Sequence, residues 1–229
     1  MKIITWNCCL PPWSLSRKRR LPKILSTIVG INPDIVCLQE VFFRNDADFL
    51  KNNLGKNGFT DFFHFKDLFI ASKIKLINKS GNTYKHQGKL FSLAFLDVLY
   101  KKGFQIVEFP DTAIVNTHLL SALASEKEIH QEVREKQVQE ICKTINDYDK
   151  RMIIAGDFNF KPNSLPYKFF LESGFKDIIN NIEENTTKTS RLDYFFMKSN
   201  DRYTLEIVPL DSEISDHAIL ILNDHDREL

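Results

Sequence analysis

Asp157 and Asn159 flank Phe158 at the end of the apolar run Ile153-Ile154-Ala155-Gly156. A β-branched run of this kind reads as a buried strand, and its end can deliver polar side chains into a cleft. In an extended chain residues i and i+2 face the same way, so the spacing predicts that carboxylate and amide serve one site. An anionic acceptor beside a neutral donor suits a water nucleophile attacking a phosphoryl group whose oxygens need hydrogen-bond donors.

The same setting recurs along the chain. Asn7 closes Ile3-Ile4-Thr5-Trp6, and Glu40 closes Ile35-Val36-Cys37-Leu38-Gln39. His118 follows Ala113-Ile114-Val115-Asn116-Thr117, and Asp193 lies in Leu192-Asp193-Tyr194-Phe195-Phe196. Ser215-Asp216-His217 leads into Ala218-Ile219-Leu220-Ile221-Leu222. One polar residue at a strand end is ordinarily a turn or a cap. Six in one chain read as a site.

The elements that must position these residues alternate. Leu21, Ile24, Leu25 and Ile28 fall at helical spacing, with a stop expected near Gly30, before Asn32-Pro33. Residues 35–39 read as a strand and Asp46–Leu54 as a short helix. The stretch Phe59–Phe109 reads as irregular strands, with turns expected at Ser80-Gly81-Asn82 and Lys101-Lys102-Gly103. Residues 124–146 read as a long polar helix with Val138, Ile141, Cys142 and Ile145 on one face, and Ser164–Leu171 as another helix. This alternation supports an α/β or α+β domain spanning 1–229.

Composition sets outer bounds. The 229 residues suffice for one domain with a real core. A net charge of +1 gives no general attraction to a polyanion. Only Arg17-Lys18-Arg19-Arg20 forms a basic cluster, read as the solvated first turn of a helix. Cys8, Cys9, Cys37 and Cys142 lack zinc-type spacing and read as small buried hydrophobes of a reducing compartment. No run is long enough to span a membrane, and Met1-Lys2 enters strand-like sequence at once. A cytoplasmic monomer is the default expectation. The 19 phenylalanines are scattered, which favours core over a base-stacking platform.

The ordered set Trp6-Asn7, Leu38-Gln39-Glu40, Asn116-Thr117-His118-Leu119, Gly156-Asp157-Phe158-Asn159, Arg191-Leu192-Asp193-Tyr194 and Ser215-Asp216-His217 resembles the endonuclease/exonuclease/phosphatase superfamily from residue 3 to residue 222. The resemblance implies a DNase I-like α+β fold, a two-layer β-sandwich flanked by helices in four layers, α/β/β/α. It implies a Mg²⁺- or Mn²⁺-dependent hydrolase of phosphoester substrates. Glu40 would be the principal metal ligand, with an Asn7 carbonyl oxygen beside it and Asp216 close by; hard oxygen donors suit these ions. His217, oriented by Asp193, would act either as base toward water or as a charged clamp. Asp157 would orient the water and Asn159 would donate to the phosphate. His118 would serve as a second donor or proton source on the leaving-group side. Arg134 and Gln137 match a pattern in the family's equivalent helix and read as structural, as do His64, His86, His130 and His225.

The substrate is less legible. The opening Cys8-Cys9-Leu10-Pro11-Pro12-Trp13 and the stretch Asp157–Tyr167 are similar to the neutral sphingomyelinase branch. Asp67–Lys73 departs from the family's usual glycine-led strand, and the central segment looks too short for a substrate-gripping insertion. These features favour a phospholipid-type or small diester, with peripheral membrane contact through Trp13. The alternatives are a nuclease of abasic-site or exonuclease type and an inactive binding domain. Retention of the whole catalytic set argues against the last.

Overall fold

The computed structural model describes residues 1–14, 16–88, 100–121, 130–179, 184–198, 202–209 and 211–225. Two six-stranded mixed sheets form its centre. The first runs β11 (Tyr203–Val208), β12 (Ile219–Asp224), β1 (Lys2–Asn7), β2 (Ile35–Gln39), β4 (Leu68–Ser72), β3 (Asp61–Phe65). The second runs β5 (Asn78–Thr83), β6 (Gly103–Glu108), β7 (Thr112–His118), β8 (Arg151–Asp157), β10 (Asp193–Met197), β9 (Lys176–Asp177). The helices are α1 (Arg17–Ile31), α2 (Arg44–Gly55), α3 (Gln131–Ile145) and α4 (Leu165–Glu172).

Alternation along the strands builds three cores. Ile3, Ile35, Cys37, Ile70, Ile114, Ile153, Phe195 and Leu220 point between the sheets and form one apolar cluster. Ile4, Val36, Leu38 and Ile221 face outward onto Leu21, Ile24 and Ile28 of α1 and Leu50 and Leu54 of α2. Val115, Ile154, Tyr194 and Phe196 face the other way, onto Val138 and Ile141 of α3 and Phe170 of α4. The result is the expected four-layer α/β/β/α sandwich.

Amides bridge the middle layer below the site. Gln39 Nε2 donates to Thr5 Oγ1 (3.0 Å) and, across the sandwich, to Asn116 Oδ1 (2.8 Å). Asn116 Nδ2 donates in turn to Gln105 Oε1 (3.1 Å) and to the Leu38 carbonyl (3.1 Å). This chain fixes β2 against β7, because a slip would leave buried amides unpaired.

Register places the candidate residues at one end. β1 and β2 are parallel with Asn7 opposite Gln39, and β7 and β8 are parallel with His118 opposite Asp157. Antiparallel β10 puts Asp193 opposite Asp157. His118, Asp157 and Asp193 therefore stand in one row across three adjacent strands.

Several expectations change. Ser80-Gly81-Asn82 is not a turn but the interior of β5, where a Cβ on Gly81 would strike the Phe65 ring. Lys101 does turn, at φ 52°, but Lys102 is buried. α1 ends at Asn32, whose left-handed backbone returns its N–H to Ile28, one residue before Pro33. The long polar helix is described from Gln131, and its expected start at 124–129 lies outside the described residues, as do residues 89–99 of the central segment. The basic cluster is the first turn of α1, but only Lys18 and Arg19 are exposed. Arg17 pairs with Asp46 at 3.0 Å and covers the Phe43 ring, and Arg20 donates to the Cys9 carbonyl at 2.8 Å. No helix among the described residues is long and apolar enough to cross a membrane.

Candidate active site

Asp157 is where the two sheets meet chemically. From the first sheet, Asn7 Nδ2 donates to Asp157 Oδ2 at 2.9 Å. His118 Nε2 lies 3.5 Å and His217 Nε2 3.8 Å from that same oxygen. The other oxygen, Oδ1, accepts the Asn159 backbone N–H at 3.0 Å. Gly156 lets β8 deliver this carboxylate. Its φ of 147° excludes ordinary side chains, and a Cβ there would fall onto the Thr117 carbonyl.

Asn159 reaches the site by a different route from the one its spacing suggests. The strand ends at Asp157, and Asn159 adopts φ 51°, so strand alternation does not set its direction. Its side-chain nitrogen donates to the Leu119 carbonyl at 3.1 Å, pinning the β8 exit beside the β7 exit. Tyr194 Oη holds the same loop by donating to the Phe160 carbonyl at 2.9 Å.

Asp193 and His217 form a buried pair, Oδ2 to Nδ1, at 2.8 Å. Burial pushes the imidazole down, but Asp193 and then Asp157 outweigh it and raise His217 to about 10. A shift of this size favours the imidazolium, and the ring's Nε2 lies 3.8 Å from Asp157 Oδ2. Asp157, Asp193 and His217 lie close enough together to hold one ion, their ligand atoms all within 4.8 Å. Since His217 Nδ1 is engaged with Asp193, only its Nε2 could reach such an ion.

Glu40 fits a hard cation better. It follows β2 in a left-handed conformation (φ 62°) that turns its side chain out of the strand, and Asn7 Nδ2 donates to its Oε1 at 3.2 Å. Burial raises the carboxyl above its ordinary value, against the opposing pull of His118 and Lys102, and a bound cation would offset that cost. Asn7, expected to offer its carbonyl oxygen, instead presents its amide nitrogen to Glu40 and Asp157, while its Oδ1 accepts the Cys9 N–H at 3.0 Å. It therefore acts here as a donor that spaces two carboxylates. Asp216 is exposed at the rim. Burial, then the charges of Asp216 and Glu40, push the Cys9 thiol up to about 12, and the thiol bonds to the Asp216 side chain.

Two site residues escape sequence reasoning. Lys102 is 1% exposed, and its Nζ lies 2.8 Å from Asp67 Oδ2 and 2.8 Å from His118 Nδ1. Asp67, 2% exposed, also contacts His118 Nδ1 at 2.8 Å, and its carbonyl accepts the Val41 N–H beside Glu40. Asp67 stood in plain view as the departure from the glycine-led strand. Lys102 was hidden by its turn-like setting. Arg134 and Gln137 support the β7 exit as expected: Gln137 Oε1 accepts the Leu120 N–H at 3.0 Å, and Arg134 Nη1 donates to the Leu120 carbonyl at 3.3 Å. His86 and His225 bond to Glu140 and Thr204, away from the site; His64 bonds to the Val41 carbonyl, one residue past Glu40; and His130 occupies the N-cap position of α3 without a side-chain capping bond.

The chain is similar to several known proteins. The chain is 27% identical over 192 residues to the inositol phosphosphingolipids phospholipase C of Schizosaccharomyces pombe, covering 76% of this chain and 44% of the relative. A 56-residue segment, 24% of the chain, is 43% identical to the CCR4-Not complex 3'-5'-exoribonuclease subunit Ccr4 of Candida glabrata, 6% of that protein. The chain thus spans less than half the length of either relative. The fold matches SmcL with a TM-score of 0.79 at 19% identity, covering 97% of this chain and 98% of the other. It also matches a Staphylococcus aureus beta toxin mutant with bound magnesium ions, with a TM-score of 0.76 at 18% identity over 97% and 99%. Residues 4–217 match the Endonuclease/Exonuclease/phosphatase family, and the chain belongs to it.

Proposed function

We propose that this chain is a Mg²⁺- or Mn²⁺-dependent phosphodiesterase that hydrolyses a phospholipid-type or other small diester by in-line attack of water. The observation that carries the reading is the convergence of Asn7, His118 and His217 on one oxygen of Asp157. Glu40, with Asp216 at the rim, would hold the metal, which when bound neutralises charge on the phosphoryl oxygens and stabilises the leaving oxygen.

The protein's own groups divide the remaining work. His217, held as an imidazolium by Asp193, is a charged donor to the phosphoryl oxygens rather than a base. Of the two roles open to it from sequence, the clamp is the better supported. Asp157 then remains to orient the water and receive its proton. Burial and Lys102 push the His118 imidazole down, but Asp67 and Asp157 outweigh them, and its net shift is upward. It is therefore suited to donate a proton on the leaving-group side. Asn159, held by one amide N–H on the Leu119 carbonyl, would donate the other to the phosphate.

For the substrate, the long match to a sphingolipid phospholipase C and the 61% exposed Trp13 favour a lipid-type diester. Trp13 lies on the loop that leaves Asn7 and carries Cys9 past Asp216. The shorter exoribonuclease match supports the second reading, a nuclease using the same chemistry. A panel of lipid, nucleic-acid and small diester substrates with Mg²⁺, run beside Asp157→Ala, separates the two. Efficient strand cleavage without lipid hydrolysis would promote the nuclease.

A further inference from the structure

A cavity of about 350 Å³ opens beside Asn159 and reaches the edge of the site, its lining residue Thr187 paired with His217 across a β-bridge and Leu192 preceding Asp193; Glu40, Asp193 and His217 do not themselves line it. Its polar lining includes Arg134, Lys161, Ser164, Thr187, Thr189 and Ser190 beside the amides of Gln131 and Asn159. Two helices begin at its wall, α3 at Gln131 and α4 just after Ser164, and neither spends its N-cap side chain on capping. Their dipoles add positive potential to the two cations.

The chemistry of this lining discriminates among the groups a phosphodiester can carry. No carboxylate is among the described lining residues, so a quaternary ammonium would meet only positive charge. The one aromatic side chain, Phe160, is 3% exposed, with its ring centroid 5.3–6.5 Å from those of Phe158, Tyr167, Phe170, Tyr194 and Phe196. It offers no free face on which a nucleobase could stack. Hydroxyls, two amides (Gln131 and Asn159) and two cations remain, which is the donor-rich surface that ring hydroxyls and negative charge can satisfy.

We propose that this cavity is a subsite for a polyol substituent of the scissile diester, uncharged or anionic, and that it selects against choline-type and nucleoside substituents. The proposal rests on the phosphodiesterase reading above and deepens it, since Asn159 joins the cavity to Asp157 through a single backbone hydrogen bond.

The test is calorimetric binding of four probes to the whole chain with Mg²⁺: inorganic phosphate, myo-inositol 1-phosphate, phosphocholine and adenosine 5'-monophosphate. Inositol phosphate should bind ~10-fold more tightly than inorganic phosphate, and the other two should gain nothing over it; a tenfold gain corresponds to one or two net hydrogen bonds. Lys161→Glu and Thr187→Val should each remove ~3- to 10-fold of the inositol phosphate affinity while inorganic phosphate binding changes less. Tighter binding of phosphocholine or the nucleotide, or loss of the polyol preference with phosphate still bound, overturns the subsite alone. Failure of every probe to bind overturns the subsite and the phosphodiesterase reading together.

Discussion

Lys102 Nζ lies 2.8 Å from His118 Nδ1, an ammonium set directly against an imidazole in a buried place. An ammonium has only donors, so the contact is tolerable because Asp67 Oδ2 sits 2.8 Å from both. The carboxylate neutralises Lys102 and holds the His118 ring, whose far nitrogen faces Asp157. Lys102 thus tunes His118 from behind, while Asp193 tunes His217 from the opposite side of Asp157.

Removing the lysine charge should be costly. Lys102→Met leaves Asp67 buried without its cation and should destabilise the fold by ~3–5 kcal/mol, the usual scale for breaking a buried pair. Asp67→Asn combined with Lys102→Met should recover part of that loss in urea unfolding. Burial pushes the Asp67 carboxyl up, but Lys102 and His118 outweigh it and set it well below the ordinary value. Its folded pKa is depressed, so the stability it contributes is complete above the ordinary carboxylate pKa of ~3.9 and is lost as pH falls through the folded value. A wild-type stability curve flat through that acid window would contradict the pairing.

The histidine assignments predict an unusual pH profile. With His217 raised to about 10, activity should show no loss traceable to this ring between pH 7 and 9 and should fall as the ring deprotonates near 10. The same raised pKa contributes stability that is full below the unfolded value of ~6.5 and fades as pH rises through about 10. His217→Ala should cut turnover more than ~10²-fold, and Asp193→Asn should cost less. If the Asp193 variant, folded normally, were the more damaged of the two, the division of roles would be wrong.

Metal removal gives a separate check. EDTA should abolish turnover, and Mg²⁺ or Mn²⁺ should restore it. Glu40→Gln should raise the metal concentration needed for half-maximal rate, because a neutral amide gives up the charge that a hard cation seeks. An unchanged metal requirement in a folded Glu40→Gln protein would move the ligand elsewhere, with the Asp157, Asp193 and His217 cluster the next candidate.

Gly156 carries a structural prediction. Gly156→Ala must adopt φ 147° with its Cβ against the Thr117 carbonyl, so β7 and β8 would have to separate beneath Asp157. Thermal unfolding should show a clear loss of stability, and the surviving folded fraction should have low activity.

Much of the fold was legible because the central strands β1, β2, β7, β8, β10 and β12 carry apolar runs bordered by polar residues. Asn7, Glu40, His118, Asp157, Asp193 and His217 come together because register aligns those ends. Direction at the turns was not legible. Asn159 leaves the strand in a left-handed turn, and Asn7 presents nitrogen where oxygen was expected; both are set by neighbours distant in sequence, Leu119 for the first and Glu40 and Asp157 for the second. Lys102 looked like a turn residue because nothing local signals that Asp67, 35 positions earlier, would pair with it. Gly81 looked like a turn because a glycine needed for close packing carries the same letter as one needed for a bend.

The most direct measurement of the central claim is hydrolysis of bis(p-nitrophenyl) phosphate by the purified chain with Mg²⁺ or Mn²⁺, with EDTA, and by Asp157→Ala. Metal-dependent release of p-nitrophenol that EDTA abolishes, and that falls by more than ~10²-fold in the folded variant, is the predicted result. Equal rates with EDTA, or an Asp157→Ala protein as active as the parent, would contradict a metal-dependent phosphodiesterase centred on Asp157.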